Sequence, residues 1–265
     1  MSPRQLFIIF SLIFFVVACA KSPTGRNQFK FYGTDQMDEM GRQAFDGIKE
    51  EGKVLTNSRQ SQYVNCVAKH VAAQVPKSVF ADEWEVVVFD DKQINAFALP
   101  GGKIGVYTGL LKVAETQDQL AAVIGHEVGH VIAEHGNERM SSGTLINLGM
   151  QVTSQILDSQ QVSGNKEIMS AIGVGMQVGV QLPFSRAHES EADLIGLDLM
   201  AKAGFNPEQS VTLWQNMEKA SGGNRQLEFL STHPAPSTRI DQLKNNMPSA
   251  LKSYQSVQRR PRCKA

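Results

Sequence analysis

The sequence predicts a mostly helical α+β fold with one small β-sheet. Apolar residues recur at helical spacing along most of the chain, whereas patterns typical of strands are confined to residues 84–107. One predicted helix carries the sequence His-Glu-Val-Gly-His at 126–130. With 265 residues and 42% apolar content, the chain is long enough to bury a sizeable core. Basic and acidic residues are balanced at 26 each, which gives no indication of nucleic-acid binding.

The first 33 residues indicate an exported and anchored chain. An apolar run at 6–17 is too short to span a bilayer comfortably but suits the core of a signal peptide. The run ends beside Cys19, and the small residues before this cysteine resemble a bacterial lipobox. The resemblance implies a lipoprotein signal peptide at 1–18, acylation of Cys19 and a lipid-anchored tether at 19–33, with an uncleaved anchor as the alternative. By resemblance to sorted lipoproteins, alanine rather than aspartate at position 20 implies the outer membrane over the inner one.

The regular elements follow from the apolar patterns. Helical spacing predicts two helices ahead of the sheet, at 34–51 and 59–75. β-Branched and aromatic residues then predict strands at 84–89, 94–99 and 103–107. Further helices are predicted at 117–136, 144–157, 168–182, 185–203, 207–220 and 237–246. The two apolar helices at 144–157 and 168–182 are both shorter than the roughly 20 residues that a membrane span needs.

The motif at 126–130 indicates a metal site on a helix. His126 and His130 are four residues apart, so both imidazoles can reach one metal ion. Glu127 leans toward the same site, as a base for metal-activated water requires. A catalytic zinc takes three protein ligands, so we expect one zinc ion per chain with a third ligand elsewhere. A helix with two incidental histidines is the alternative.

His135 is the nearest candidate for that third ligand. It lies nine residues after His126, half a turn round the predicted helix, and therefore faces away from the motif. The longer metzincin pattern requires glycine at 133 and histidine at 136, where this chain has Ala133 and Gly136. We therefore expect His135 to be a surface or helix-end residue.

A better candidate lies in the helix predicted at 185–203. Glu189 and Asp193 are four residues apart and share one helical face, whereas Glu191 points almost oppositely and fits a solvent-facing turn. We expect Glu189 to bind the metal and Asp193 to accept a hydrogen bond from a ligating histidine. A three-histidine site that uses His188 instead is the alternative.

Together these motifs resemble one family. HExxH at 126–130 followed by ExxAD at 189–193 is similar to the gluzincins that include the HtpX heat-shock protease and the CAAX prenyl proteases. The lipoprotein branch, to which LoiP and BepA belong, is the most similar in layout. The resemblance implies a zincin-like metallopeptidase domain at 34–250 with its small sheet beside the HExxH helix, followed by a basic tail at 251–265.

Two further segments carry the resemblance and suggest roles. Thr232-His233-Pro234, with Arg239 six residues after the histidine, is similar to the family's C-terminal motif. It implies catalytic roles for His233 and Arg239 as oxyanion donors, or for His233 as a resting fourth ligand. A structural pair at a helix start is the alternative. The segment 94–102 resembles the family's edge strand, and it implies that Asn95, Ala96, Phe97 and Ala98 bind an extended substrate. An internal strand is the alternative there.

The remaining cysteines are Cys66 and Cys263, once Cys19 is lipidated. In an oxidising compartment they could form a disulfide that ties the C-terminal tail to an N-terminal helix. Two unpaired thiols are the alternative, and the sequence does not decide between them.

The leading hypothesis is a zinc-dependent endopeptidase of the bacterial cell envelope. It would face the periplasm from a lipid anchor at Cys19, cleave misfolded or assembling envelope proteins, and meet the outer-membrane assembly machinery. A client-binding chaperone or assembly factor with latent protease activity is the alternative. A zinc hydrolase of a small substrate is disfavoured by the edge-strand segment.

Overall fold

The computed structural model describes residues 20–159, 185–222, 228–233 and 237–264. The helices are α1 (Thr34–Glu51), α2 (Arg59–Ala72), α3 (Gln117–Ile132), α4 (His135–Ser159), α5 (Arg186–Lys202), α6 (Gln209–Ser221), α7 (Glu228–Thr232) and α8 (Ser237–Ser256). The strands are β1 (Ala20–Lys21), β2 (Asn27–Gln28), β3 (Glu85–Phe89), β4 (Ala96–Leu99) and β5 (Lys103–Tyr107). The predicted signal peptide, the predicted lipidation site Cys19 and the helix predicted at 168–182 lie outside the described residues.

The chain divides into two compact units, at 1–32 with 137–181 and at 33–136 with 182–265. In the first unit, β1 and β2 form an antiparallel pair. The guanidinium of Arg26 there donates two hydrogen bonds of 2.7 Å to the carboxylate of Glu138. The segment predicted to be a tether therefore includes ordered residues. Within the described part of the chain, no helix is long and apolar enough to cross a membrane.

The second unit contains the predicted three-stranded sheet, in the order β3-β5-β4. β3 runs parallel to the central strand β5, and β4 pairs antiparallel with its other side. The turn between β4 and β5 uses Gly101 and Gly102, whose φ angles of 78° and 69° suit glycine best. Sheet and helices share one core, so the mostly helical α+β prediction is confirmed.

Close contact between α3 and α5 positions the residues of both predicted motifs. A Cβ atom added to Gly125 would lie 2.8 Å from the carbonyl oxygen of Gly196, and one on Gly129 would lie 2.7 Å from that of Ala192. Only small residues permit two helix backbones to approach this closely. The spacing of Gly125 and Gly129 matches that of His126 and His130, so the contact brings the HExxH segment against the ExxAD segment.

The predicted helix at 117–136 is broken in the structure. α3 ends at Ile132, and α4 begins at His135. Between them Glu134 has a φ of 52°, the left-handed region that terminates a right-handed helix. Periodicity alone continues through this point, because the break is a backbone event that leaves the apolar spacing unchanged. The direction of the His135 side chain therefore differs from the prediction.

The C-terminal segment is held against other parts of the second unit, to which it belongs. Cys66 on α2 and Cys263 form a disulfide with their Cα atoms 5.7 Å apart. The side-chain amide of Gln117 donates a hydrogen bond to the carbonyl of Pro261, and its oxygen accepts one from the backbone N–H of Cys263. The structure therefore resolves the open question about these cysteines in favour of the bridge. α8 also continues ten residues beyond the predicted end at 246.

Candidate metal centre

Four side chains converge in the second unit with their potential ligand atoms within 4.8 Å of one another. Nε2 of His126 lies 3.1 Å from Nε2 of His130, and both histidines come from α3. The carboxylate of Glu189, in the first turn of α5, places its two oxygens 3.3 Å from Nε2 of His130 and 3.4 Å from Nε2 of His126. His233, which follows α7, has its Nδ1 3.0 Å from a Glu189 oxygen. The predicted ligand triad is thus brought together, with His233 as a fourth member.

This set of donors fits a divalent metal ion. Imidazole nitrogens with one carboxylate are the ligands of catalytic zinc sites. All four side chains are at most 4% exposed, which is unusual for polar groups that do not bind a common partner. His188, the alternative third ligand, is not among the converging groups of the described residues. The ring of His188 stacks instead on that of His135.

The electrostatics of these groups favour a cation. Burial opposes the charge on Glu189, but hydrogen bonds from His126, His130 and His233 outweigh it and hold the pKa of that carboxyl well below its usual range. Burial lowers the pKa of His130 well below its ordinary value, which keeps this imidazole neutral. Burial also opposes protonation of His126, but Asp193 and Glu189 raise its pKa to about 9. In the metal-free centre a proton on His126 therefore compensates the negative charge of Glu189, and a bound cation would take over that role.

Glu127 faces the same centre from α3. Its Oε1 lies 3.6 Å from Nε2 of His233. No hydrogen-bond donor of the described chain reaches that buried oxygen. Burial raises the pKa of Glu127, which makes the carboxylate a stronger base than one in water. The geometry thus provides a base directed at the group of ligands, as the motif predicted.

The support of His126 matches the sequence prediction for Asp193. Nδ1 of His126 lies 3.0 Å from Oδ1 of Asp193. Nε and Nη2 of Arg239 donate to the two oxygens of the same carboxylate at 2.7 Å each, and Nη1 lies 2.7 Å from Glu189. The guanidinium also lies 3.9 Å above the ring of Trp214. These contacts hold Arg239 in place beside both carboxylates, and its role as an oxyanion donor stays a prediction.

His135 does lie at a helix end, as one of the two expectations had it, but the expectation that it faces away from the motif is wrong, and so is that of a solvent-facing Glu191. His135 is 0% and Glu191 3% exposed. Nδ1 of His135 lies 2.9 Å from Nδ1 of His130, and its Nε2 lies 3.2 Å from Oε2 of Glu191. The left-handed turn at Glu134 directs His135 back toward α3, and α5 is buried on the side of Glu191 as well as on that of Glu189. A helical wheel that assumes an unbroken helix has no means of finding this contact.

β4 occupies the predicted position at the edge of the sheet. Its first residue is paired with Val106 of β5, and the carbonyl of Asn95 accepts a hydrogen bond from the backbone N–H of Tyr107. Hydrogen-bonded pairs alternate along an antiparallel ladder, so the backbone groups of Ala96 and Ala98 point away from β5. The helix α3 packs beside this strand. An internal strand is therefore excluded for the described residues.

Comparisons with known proteins agree with this geometry. The model of peptidase family M48 matches residues 58–247. The mitochondrial metalloendopeptidase OMA1 of Schizosaccharomyces pombe is 33% identical over 231 residues, covering 86% of this chain and 66% of the relative. The human metalloendopeptidase OMA1 is 30% identical over 262 residues, covering 93% of this chain and 49% of the relative. The beta-barrel assembly-enhancing protease of Escherichia coli is 24% identical over 212 residues, covering 78% and 43%.

The chain spans less than two thirds of the length of these relatives, so the match concerns the part that they share. The matched range includes both helices that carry the ligands and their supports, and it covers well over half of the chain. The family that the motifs at 126–130 and 189–193 resemble is the family whose model matches residues 58–247. This chain belongs to peptidase family M48.

Proposed function

We propose that this chain is a zinc-dependent endopeptidase of the bacterial cell envelope that cleaves misfolded or assembling envelope proteins. One observation carries the catalytic part of the proposal. His126, His130 and Glu189 converge on one point, and the buried carboxylate of Glu127 faces it. Three ligands of these types, with a base beside them, are the arrangement of HExxH metallopeptidases.

The proposed chemistry assigns a separate task to each side chain. When bound by His126, His130 and Glu189, a zinc ion supplies an activated water and polarises the peptide carbonyl. Glu127 accepts the proton of the attacking water at Oε1 and then donates it to the leaving amine. His233 lies close enough to Glu127 and to the ligands to act beside the developing oxyanion, or to occupy the centre at rest as a fourth ligand.

An extended polypeptide is the substrate class that the sheet favours. The outward-facing backbone groups of Ala98, which is partly exposed, can pair with a peptide by main-chain hydrogen bonds, largely independent of its side chains, whereas Ala96 is 2% exposed and is covered. Misfolded chains expose such extended segments, whereas native proteins seldom do. The edge strand therefore supports a broad preference for unfolded clients, with Asn95 and Phe97 at the positions between.

Three observations support the cellular setting. The sequence before Cys19 resembles a lipobox, and an acylated Cys19 would anchor the chain to a membrane. The bridge between Cys66 and Cys263 is typical of an oxidising compartment such as the periplasm. One relative is named a beta-barrel assembly-enhancing protease, which suggests the outer-membrane assembly machinery as a partner. The OMA1 relatives are named as mitochondrial, so the shared domain is compatible with more than one setting.

Replacing Glu127 with glutamine tests the catalytic assignment. Because the variant keeps every ligand and loses only the base, we expect casein hydrolysis to fall by about a hundredfold or more. Zinc content, measured by atomic absorption, should remain near one ion per chain. Glu115→Gln, which changes an exposed glutamate just before α3, serves as the control. Hydrolysis that survives Glu127→Gln or chelation contradicts the proposal, and client binding without cleavage by the wild type would favour a chaperone.

Replacing Ala98 with proline tests the substrate edge. Proline removes an outward N–H, so an extended substrate loses a main-chain hydrogen bond while the pairing between β4 and β5 is retained. We expect kcat/KM for casein to fall about tenfold, at unchanged zinc content. Ala98→Gly keeps the N–H and removes only a methyl group, and it should cleave casein nearly as well as the wild type. Equal losses in both variants would show that packing, not peptide pairing, is affected.

A further inference from the structure

We infer that His135 and Glu191 form a positioning relay that fixes the orientation and tautomer of His130 as a metal ligand. The inference rests on the proposed metal centre, and it concerns two residues outside both motifs of that centre. Neither residue contributes an atom to the four converging groups of the described chain. The contact that links them to the centre joins Nδ1 of His135 to Nδ1 of His130.

The order of the hydrogen bonds follows from the chemistry of the three groups. If Nε2 of His130 binds the metal, its Nδ1 carries the proton and must donate it to an acceptor. Nδ1 of His135, 2.9 Å away, is then the acceptor, which places the proton of His135 on Nε2. That N–H donates to the carboxylate of Glu191 at 3.2 Å. A carboxylate at the end of the chain thus determines a single set of tautomers, and Nε2 of His130 is left free for the ion.

The surroundings hold this relay in place. The ring of His188 stacks on that of His135 with centroids 4.4 Å apart and planes inclined by 29°, which restricts rotation of the His135 ring. The turn at Glu134 sets the direction of approach from the start of α4. A buried imidazole and a buried carboxylate lose their hydration on folding, and their mutual hydrogen bond offsets much of that loss. Such a costly pair beside a ligand is explained by the orientation that it gives to His130.

Two substitutions of His135 separate positioning from packing. An asparagine side chain at this position would place its oxygen near the site of the imidazole Nδ1, so His135→Asn keeps an acceptor for His130. The leucine of His135→Leu is similar in size to histidine but offers no hydrogen-bond acceptor. Both variants lose the ring stack and the link to Glu191, so they are matched for structural damage. The measurements are the Zn²⁺ dissociation constant by competition with a chromophoric chelator, the visible spectrum of the Co²⁺ form, and the melting temperature of the metal-free form.

We expect His135→Leu to weaken Zn²⁺ binding about ten- to hundredfold and to change the Co²⁺ spectrum, because His130 loses its fixed orientation. His135→Asn should recover most of the affinity and the wild-type spectrum at a similar melting temperature. Zn²⁺ affinity in His135→Leu equal to wild type overturns the inference, as does an equal loss in both variants. A wild-type chain that binds no Zn²⁺ at all instead overturns the proposed function, and the inference with it.

Discussion

His126 and His130 come from one turn of one helix, yet their supports differ in kind. His126 lies against Asp193, a carboxylate held on both oxygens by the guanidinium of Arg239. His130 lies against His135, whose imidazole connects it to Glu191. His126 contacts a carboxylate directly, and that carboxylate is paired with a guanidinium. His130 is linked to a carboxylate only through the intervening imidazole of His135. One requirement, a fixed ligand tautomer, is met by two physically different means.

The difference has an energetic consequence. Burial favours the neutral form of Asp193, but Arg239 outweighs it and lowers the pKa of that carboxyl. Removing one partner of such a buried ion pair leaves the other charge uncompensated, at a cost of about 3–5 kcal/mol. Removing the imidazole of His135 breaks no pair with Arg239 but takes one hydrogen bond from the buried carboxylate of Glu191, at a cost of about 1–3 kcal/mol. Loss of the support of His126 should therefore destabilise the fold more than loss of the support of His130.

The largest effect is expected from Asp193→Asn, which breaks the charged support. Arg239 loses its bidentate partner but keeps the contact of its Nη1 with Glu189, so the free energy of unfolding should fall by about 3 kcal/mol, and Zn²⁺ affinity by about ten- to hundredfold. Chemical denaturation and chelator competition measure the two quantities. Asp198→Asn is the matched control on α5, because Asp198 pairs with Lys202 at the surface, where such a pair contributes under about 1 kcal/mol. Similar losses in both variants would contradict the importance given to the buried pair.

A smaller effect is expected from Glu191→Gln, which removes the charge of the relay but keeps its hydrogen bond. Glutamine can still accept a hydrogen bond from Nε2 of His135 but carries no charge, so Zn²⁺ affinity should fall by a few-fold, about 1 kcal/mol. A double-mutant cycle sharpens the comparison. In the His135→Leu background the same change should have almost no further effect on Zn²⁺ affinity, because the path to His130 is already interrupted. Additive losses would mean that Glu191 acts on the centre by another route.

The two supports also differ in how far the sequence predicts them. Glu189 and Asp193 are four residues apart on an unbroken helix, so a wheel drawn from the sequence places both correctly. The same helical wheel misplaces His135 and Glu191. His135 follows a helix break, and Glu191 lies on a helix that is buried on two sides. The edge position of β4 came from resemblance, and the bridge between Cys66 and Cys263 required distances that composition does not contain. Local periodicity predicts the direction of a side chain only where the backbone remains a regular helix or strand.

The smallest effect is expected where the break itself is altered, at Glu134. Glycine adopts a φ of 52° without strain, so Glu134→Gly should preserve the turn and the position of His135. Relief of backbone strain and the greater entropy of the unfolded glycine chain nearly offset each other, so we expect unfolding free energy to change by less than about 1 kcal/mol. Zn²⁺ affinity should stay at the wild-type value. A tenfold loss would show that the Glu134 carboxylate contributes to the support of His130, whereas retention assigns the contribution of this position to backbone shape.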